Sequence, residues 1–139
     1  MNDKQMMTGI IIYLILSSID RTEPHGKRGR KAIMQKVKKQ LAIHGKKDRD
    51  NYLAMVADAD VVMESAREQM SKDNFLINPG AIISTMVFKY EECVEPFGLT
   101  ADHIANLKDA YAHSRAGFRS IQIANRIMDS IDEYLKEKK

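Results

Sequence analysis

Lysine and arginine side chains are concentrated in one short stretch of this 139-residue chain. Ten basic residues and a single acid, Asp48, lie between Lys27 and Arg49, so this segment carries +9 while the whole chain carries +3. The remainder of the chain is therefore acidic on balance. Such an asymmetry steers an anionic partner toward one part of the surface. The residues expected to contact that partner are Lys27, Arg28, Arg30, Lys31, Lys38, Lys39, Lys46 and Lys47.

The first four of these cations surround a glycine and immediately precede a predicted helix. Free backbone N–H groups and the helix dipole attract anions to a helix N-terminus, whereas cations there are mildly unfavourable by themselves. A bound anion would offset that cost. Phosphates of a nucleic acid and carboxylates of another protein both fit this chemistry. Residues 27–49 contain no aromatic side chain, which disfavours single-stranded nucleic acid because its bases usually stack on aromatic rings.

A row of acids follows the basic segment. Asp60, Glu64 and Glu68 recur every four residues, on the side of the predicted third helix that lies away from its apolar stripe. Duplex DNA would repel this row, which argues against a helix-turn-helix reader. The basic segment of one molecule would instead complement the acidic row of another copy.

Residue types that perform catalysis are poorly grouped in this sequence. His103 and His113 are the only histidines expected to share a helix, and ten residues separate them by about 15 Å. No Glu-x-x-His or His-Glu-x-x-His spacing occurs, and Glu91 with Glu95 is interpreted as a solvated face. Acidic and apolar neighbours should raise the pKa of the Cys93 thiol and leave it inert. The sequence predicts no enzyme activity, no metal and no cofactor.

Composition places the chain in the class of single globular domains. With 139 residues and 44% apolar residues, one domain spanning 1–139 is expected. A single cysteine fits a reducing, cytoplasmic environment. The apolar run "GIIIYLIL" is too short to cross about 30 Å of hydrocarbon as a helix, and no clear signal-peptide pattern surrounds it. We therefore expect this run to be buried inside the protein, without a membrane partner.

Apolar residues recur at helical spacing almost throughout, which predicts an all-α fold, a compact bundle of five or six helices. The isoleucine run at residues 10–12 would also suit a buried strand. Residues 20–30 are expected to form a basic loop, Gly45 to stop the second helix, and residues 136–139 to form a frayed tail. The expected helices are Asp3–Ile19, Lys31–His44, Arg49–Ser71, Pro79–Val94 and a long C-terminal helix over 101–136.

Capping signals support the later helices. Asn78 and Thr100 are expected N-caps, and Leu99 can pack on Ile104 as a hydrophobic staple. The C-terminal pattern continues through Gly117, so either one long helix bends there or two helices meet. Its predicted apolar stripe is Ile104, Leu107, Tyr111, Ser114, Phe118 and Ile121, and then, shifted by one residue, Ala124, Met128, Ile131 and Leu135.

Together these features favour a small, non-enzymatic helical interaction protein. Its basic loop and second helix are expected to dock an acidic protein surface, belonging either to another copy or to a different protein. Two other classes fit the same sequence. One is a nucleic-acid-associated accessory factor that uses the same cations on phosphates, and the other is a homo-oligomeric assembly subunit joined through the long C-terminal helix.

Overall fold

The computed structural model describes residues 1–17, 27–72, 82–83, 85–86, 91–99 and 116–138. Within these ranges the chain is 94% helical and has no strand, which confirms the all-α prediction. The helices are α1 (Asp3–Ser17), α2 (Lys27–Lys47), α3 (Arg49–Lys72), α4 (Glu91–Val94) and α5 (Ala116–Lys138), and a 3-10 turn spans Glu95–Phe97. Residues 82–83 and 85–86 are also helical.

Helix α1 is the central element of the core. It packs against α2, α3, α4 and α5, which explains why its sequence is apolar on every side. The isoleucine run at 10–12 is helical, so the alternative of a buried strand is wrong. Residues buried along α1 include Met6, Met7, Ile10, Ile11, Ile12, Ile15 and Leu16.

A capping box fixes the start of α1. The Asn2 side-chain Oδ1 accepts a hydrogen bond from the Gln5 backbone N–H at 2.8 Å, and Gln5 Oε1 accepts one from the Asn2 backbone N–H at 2.8 Å. This reciprocal pair satisfies two donors that helix geometry leaves without a partner.

Helix α2 begins at Lys27, earlier than the predicted start at Lys31. Lys27, Arg28 and Arg30 therefore lie in its first turns, and their assignment to the loop was wrong. The prediction treated Gly29 as a helix breaker. A single glycine costs a helix only about 1 kcal/mol, less than the burial of one or two core side chains further along α2 provides.

Gly45 does not stop α2, which continues to Lys47. This glycine is buried under the Tyr52 ring, and a β-carbon added to it would lie 3.1 Å from Tyr52 Cγ. Only Asp48 separates α2 from α3. Asp48 caps α3, because its Oδ1 accepts a hydrogen bond from the Asn51 backbone N–H at 3.3 Å. The glycine therefore allows close packing at a tight helix junction.

The segment that follows α4 ends as predicted, at Pro96 and Gly98. Gly98 has φ 66°, the left-handed conformation that favours glycine, and its N–H donates to the Glu95 carbonyl at 3.0 Å. Phe97 is fully buried. The predicted helix start at Pro79 and the caps at Asn78 and Thr100 lie outside the described residues.

Helix α5 (Ala116–Lys138) covers the C-terminal part of the helix predicted over 101–136. Ile121 is 44% exposed, so its predicted place in the apolar stripe was wrong. It lies roughly 90° round the helix from the centre of the buried stripe at 100° per residue. Residues 136–138 are helical rather than frayed. Gly117 lies in the first turn of α5, whereas residues 101–115, which precede the predicted bend, are outside the described ranges. The buried side chains are Ile123, Ala124, Ile127, Met128 and Ile131.

Polar contacts attach the N-terminal end of α1 to three other helices. Each joins side chains or backbone atoms that are distant in sequence, so these contacts fix how the helices pack around α1. They are Lys4 Nζ to Asp132 Oδ1 at 3.2 Å, Asn51 Nδ2 to Asp3 Oδ1 at 3.1 Å, and Gln5 Nε2 to the Glu92 carbonyl at 3.1 Å.

Candidate anion-docking surface

Helix α2 is basic along its whole length. It contains nine lysines and arginines and no aspartate or glutamate. Its core side is formed by Ile33, Val37 and Leu41, which are buried. Lys38, Lys39, Lys46 and Lys47 are exposed on the remaining surface of this helix.

Five of these cations share one face of α2. Lys38, Lys39 and Lys46 are exposed. Lys31 precedes Lys38 by seven residues, and Arg28 precedes Lys46 by eighteen, so whole helical turns place both backbone positions in the same register. We call Arg28, Lys31, Lys38, Lys39 and Lys46 the basic face. At 1.5 Å per residue it extends about 27 Å along the helix.

The helical register separates Arg30 from the basic face. Arg30 lies three residues before Ile33 and seven before Val37, so its backbone position belongs to the core side of α2. Lys27 and Lys47 are each one residue from a member of the basic face, about 100° round the helix, and occupy its edges. The eight cations predicted to act together thus divide into a central five, two edge positions and one position on the core side.

Two further side chains with basic groups, Lys36 and His44, lie on α2 outside the basic face. Lys36 is half-buried, and its Nζ donates a hydrogen bond to the Gly98 carbonyl at 3.2 Å, which ties α2 to the turn after Phe97. Burial lowers the pKa of His44, and the positive charges of the N-terminus and Lys47 lower it further.

The basic face has a small apolar centre. Ala42 and Ile43 lie one helical turn from Lys39 and one from Lys46, and both are exposed. Ile43 leaves 43% of its surface accessible. An apolar centre with a charged rim is the usual arrangement of a protein–protein interface.

The acidic row lies on the solvent side of α3. Asp60, Glu64 and Glu68 are all exposed, opposite the buried Met55 and Ala59. Beside this row lie exposed apolar side chains that the sequence analysis did not identify. Leu53, Ala57 and Val61 recur every four residues, the same spacing as the acids, and this repeat is the signal that would have found them.

Leu53 and Val61 are 51% and 68% exposed. We call the surface formed by these apolar and acidic side chains the acidic face of α3. Its members are Leu53, Ala57, Asp60, Val61, Glu64 and Glu68.

Cys93 is buried, and burial raises the pKa of its thiol, as the sequence predicted. The nearby charge of Lys4 and a hydrogen bond with Thr8 act in the opposite direction but are smaller. Among the described residues no group of three or more His, Cys, Asp or Glu side chains is placed to hold a metal ion.

No family model, curated protein or solved structure matches this chain. Across the ranges that the structure describes, no helix combines the length and the apolar character needed to cross a membrane. On the described surface of the chain, the basic face is the feature with the most defined chemistry.

Proposed function

We propose that this chain is a non-enzymatic helical interaction protein that docks an acidic protein surface through the basic face of α2. One observation carries the proposal: α2 holds nine cations and no acid, and Lys38, Lys39 and Lys46 are exposed around an accessible Ile43. A cytoplasmic location belongs to the same proposal, because Cys93 is a free thiol and reducing compartments keep thiols free.

A rigid helix gives these cations a fixed spacing before a partner arrives. Carboxylates that match the spacing gain from charge-assisted hydrogen bonds, and little further ordering of the backbone is needed. The positive potential accelerates encounter, while Ala42 and Ile43 supply contact area that salt does not screen.

The simpler explanation, that these lysines only solvate or stabilise the helix, accounts for part of the pattern. Cations in the last turn interact favourably with the helix dipole, which explains Lys46 and Lys47. The same dipole makes cations in the first turn unfavourable, and α2 has no acid in its first turn. The helix dipole also does not account for Lys38 and Lys39, which lie in the middle of the helix.

A nucleic-acid partner is the second candidate. A row of cations about 27 Å long could follow a phosphate backbone. The next helix, α3, exposes the acids of the acidic face, however, and residues 27–49 contain no aromatic side chain for stacking on bases. A protein partner therefore fits the neighbouring surface better.

The test uses a fluorescent 21-residue helical peptide whose exposed face alternates glutamate with leucine. Fluorescence anisotropy measures binding of this peptide to the parent chain and to the double variant Lys38→Glu with Lys39→Glu. The matched control, Arg126→Glu with Lys136→Glu, makes the same change in net charge at two exposed positions on α5. Circular dichroism and thermal unfolding verify that all three proteins are folded.

We expect the α2 double variant to bind at least tenfold more weakly than the parent, and the α5 control to bind within about twofold of it. Equal weakening in both variants would show that only net charge matters. Unchanged binding by the α2 variant would show that the lysines are a solvated surface. Either result would overturn the proposal.

A further inference from the structure

We propose that the acidic surface docked by α2 is the acidic face of α3 on a second copy of this chain. This inference rests on the proposed function and names the partner. It follows from charge complementarity between two exposed faces of the same molecule. Lys38, Lys39 and Lys46 are exposed on one helix, and Asp60, Glu64 and Glu68 are exposed on the next.

The apolar parts of the two faces also match. Ile43 lies inside the basic face, and Leu53 and Val61 lie inside the acidic face, where more than half of each side chain is accessible. Exposed apolar side chains of this size beside complementary charges are typical of an interaction surface. Covering them with a second copy would remove apolar surface from water and would bring side chains of opposite charge close together around it.

The order of residues along the helices selects an antiparallel arrangement. Suppose that Ile43 is placed opposite Val61 with the helices antiparallel. Lys39 then lies about 6 Å from Ile43 along α2, in the direction of the C-terminus of α3, at 1.5 Å per residue. That position lies between Glu64 and Glu68, which are about 4.5 and 10.5 Å from Val61 along α3. In a parallel arrangement Lys46 is level with Glu64, but Lys38 and Lys39 are level with positions 56 and 57, away from the acids, and α2 ends at Lys47 before it reaches Glu68.

The contact therefore joins different faces of two copies. Each molecule offers both faces, so two copies can exchange α2 and α3 contacts around a two-fold axis, or further copies can add head to tail. Both outcomes produce a species heavier than the 15.8 kDa monomer. Reversing the charges on α2 in one variant and on α3 in another tests whether these two faces contact each other, because a mixture of the two variants pairs opposite charges again.

The experiment is sedimentation velocity of the full chain at 50 mM salt with three proteins. The first is the parent. The second is Lys38→Glu with Lys39→Glu, which places two acids on the basic face, and the third is Glu64→Lys with Glu68→Lys, which places two cations on the acidic face. We expect the parent to self-associate, each variant alone to be monomeric, and an equimolar mixture of the two variants to associate again.

Restoration in the mixture is the decisive result, because a variant that had simply misfolded would not regain a partner. A further variant, Val61→Ser, keeps every charge and should shift the self-association constant at least fivefold toward monomer, since Val61 is 68% exposed. A monomeric parent, or a mixture that stays monomeric, would overturn the inference.

The acidic peptide assay distinguishes failure of the self-docking inference from failure of the proposed function. If the parent binds the peptide through Lys38 and Lys39 but remains monomeric, the basic face recognises a different protein and the self-docking inference alone is wrong. If the parent neither binds the peptide nor self-associates, both are wrong.

Discussion

The Phe97 ring lies directly against the backbone of Gly9. A β-carbon built on Gly9 would come within 2.1 Å of Phe97 Cζ and within 2.8 Å of two further ring atoms. Gly9 is in the middle of the central helix α1, and Phe97 is fully buried in the 3-10 turn that precedes Gly98. The absence of a side chain at position 9 therefore lets the turn dock on α1.

Gly9→Ala is expected to destabilise the protein by about 1–2 kcal/mol, because overpacking at a buried ring outweighs the gain of about 1 kcal/mol that alanine brings to a helix. Urea unfolding measures the change. The loss of stability caused by Gly9→Ala should be smaller in a Phe97→Leu protein, because the smaller side chain leaves space near position 9. Gly45→Ala is the control, because Tyr52 is only half-buried and can move aside. A Gly9→Ala protein more stable than its parent would contradict the close packing.

Tyr134 links α5 to α3 by donating its hydroxyl hydrogen bond to Asp58 Oδ2. Replacing Tyr134 with Phe should lower the free energy of unfolding by about 1–2 kcal/mol at pH 7 through loss of a hydrogen bond to a charged group. A double-mutant cycle with Asp58→Asn isolates the pair. A coupling energy indistinguishable from zero would show that this contact does not contribute to stability.

The same tyrosine predicts a defined pH dependence. Burial, together with the hydrogen bond and negative charge of Asp58, raises the pKa of Tyr134 to about 12. Because the pKa in the folded state exceeds the unfolded value, the stabilisation is fully present below about pH 10 and is lost as pH rises toward 12. Ultraviolet titration should show one late-ionising tyrosine that disappears in Tyr134→Phe. Ionisation of all five tyrosines near pH 10 would contradict this.

Cys93 should react slowly with thiol reagents in the native protein. It is buried, and its raised pKa reduces the thiolate fraction that reacts. At pH 8 we expect dithionitrobenzoate to label the native protein at least 100-fold more slowly than the urea-unfolded chain. Cys93→Ser should retain binding of the acidic peptide. Rapid native labelling would show that the thiol is accessible.

The register of α2 predicts different effects for two neighbouring arginines. Arg28→Glu should weaken binding of the acidic peptide several-fold, because position 28 lies in the register of the basic face. Arg30→Glu changes the charge equally but lies in the register of Ile33 and Val37, so it should affect binding less. Anisotropy titrations compare the two variants, each verified by thermal unfolding. An Arg30 effect as large as the Arg28 effect would contradict the assignment of the face.

The sequence was sufficient for the fold class and for the central place of α1, because a helix that is apolar on all sides must be surrounded by others. Helix ends at glycines were less predictable. Gly45 and Gly29 looked like breakers, yet each lies inside α2, where tertiary packing outweighs a local preference. Asn2 and Asp48 are residue types that favour helix N-caps, but nearby residues of the same types would cap a helix equally well, so the sequence did not determine which residue is the cap.

The surface was predictable only where helical periodicity determines it. That periodicity separates Lys38 and Lys39 from the core side of α2, and the structure leaves both exposed. It could not show that Lys36 binds the Gly98 carbonyl, since these residues are 62 positions apart and meet only through the fold. The sequence predicts a loop over residues 20–30, and a loop has no helical register, so the sequence could not separate position 30 from position 28.

The measurement that tests the central claim most directly is the salt dependence of binding by the parent chain to two probes. One is the acidic peptide, and the other is a 20-base-pair DNA duplex. We expect peptide affinity to fall less than tenfold between 50 and 200 mM salt, because the interface has an apolar centre, and duplex affinity to fall by about three decades. A duplex bound more tightly than the peptide at 200 mM salt would contradict the claim that the basic face of α2 docks an acidic protein surface.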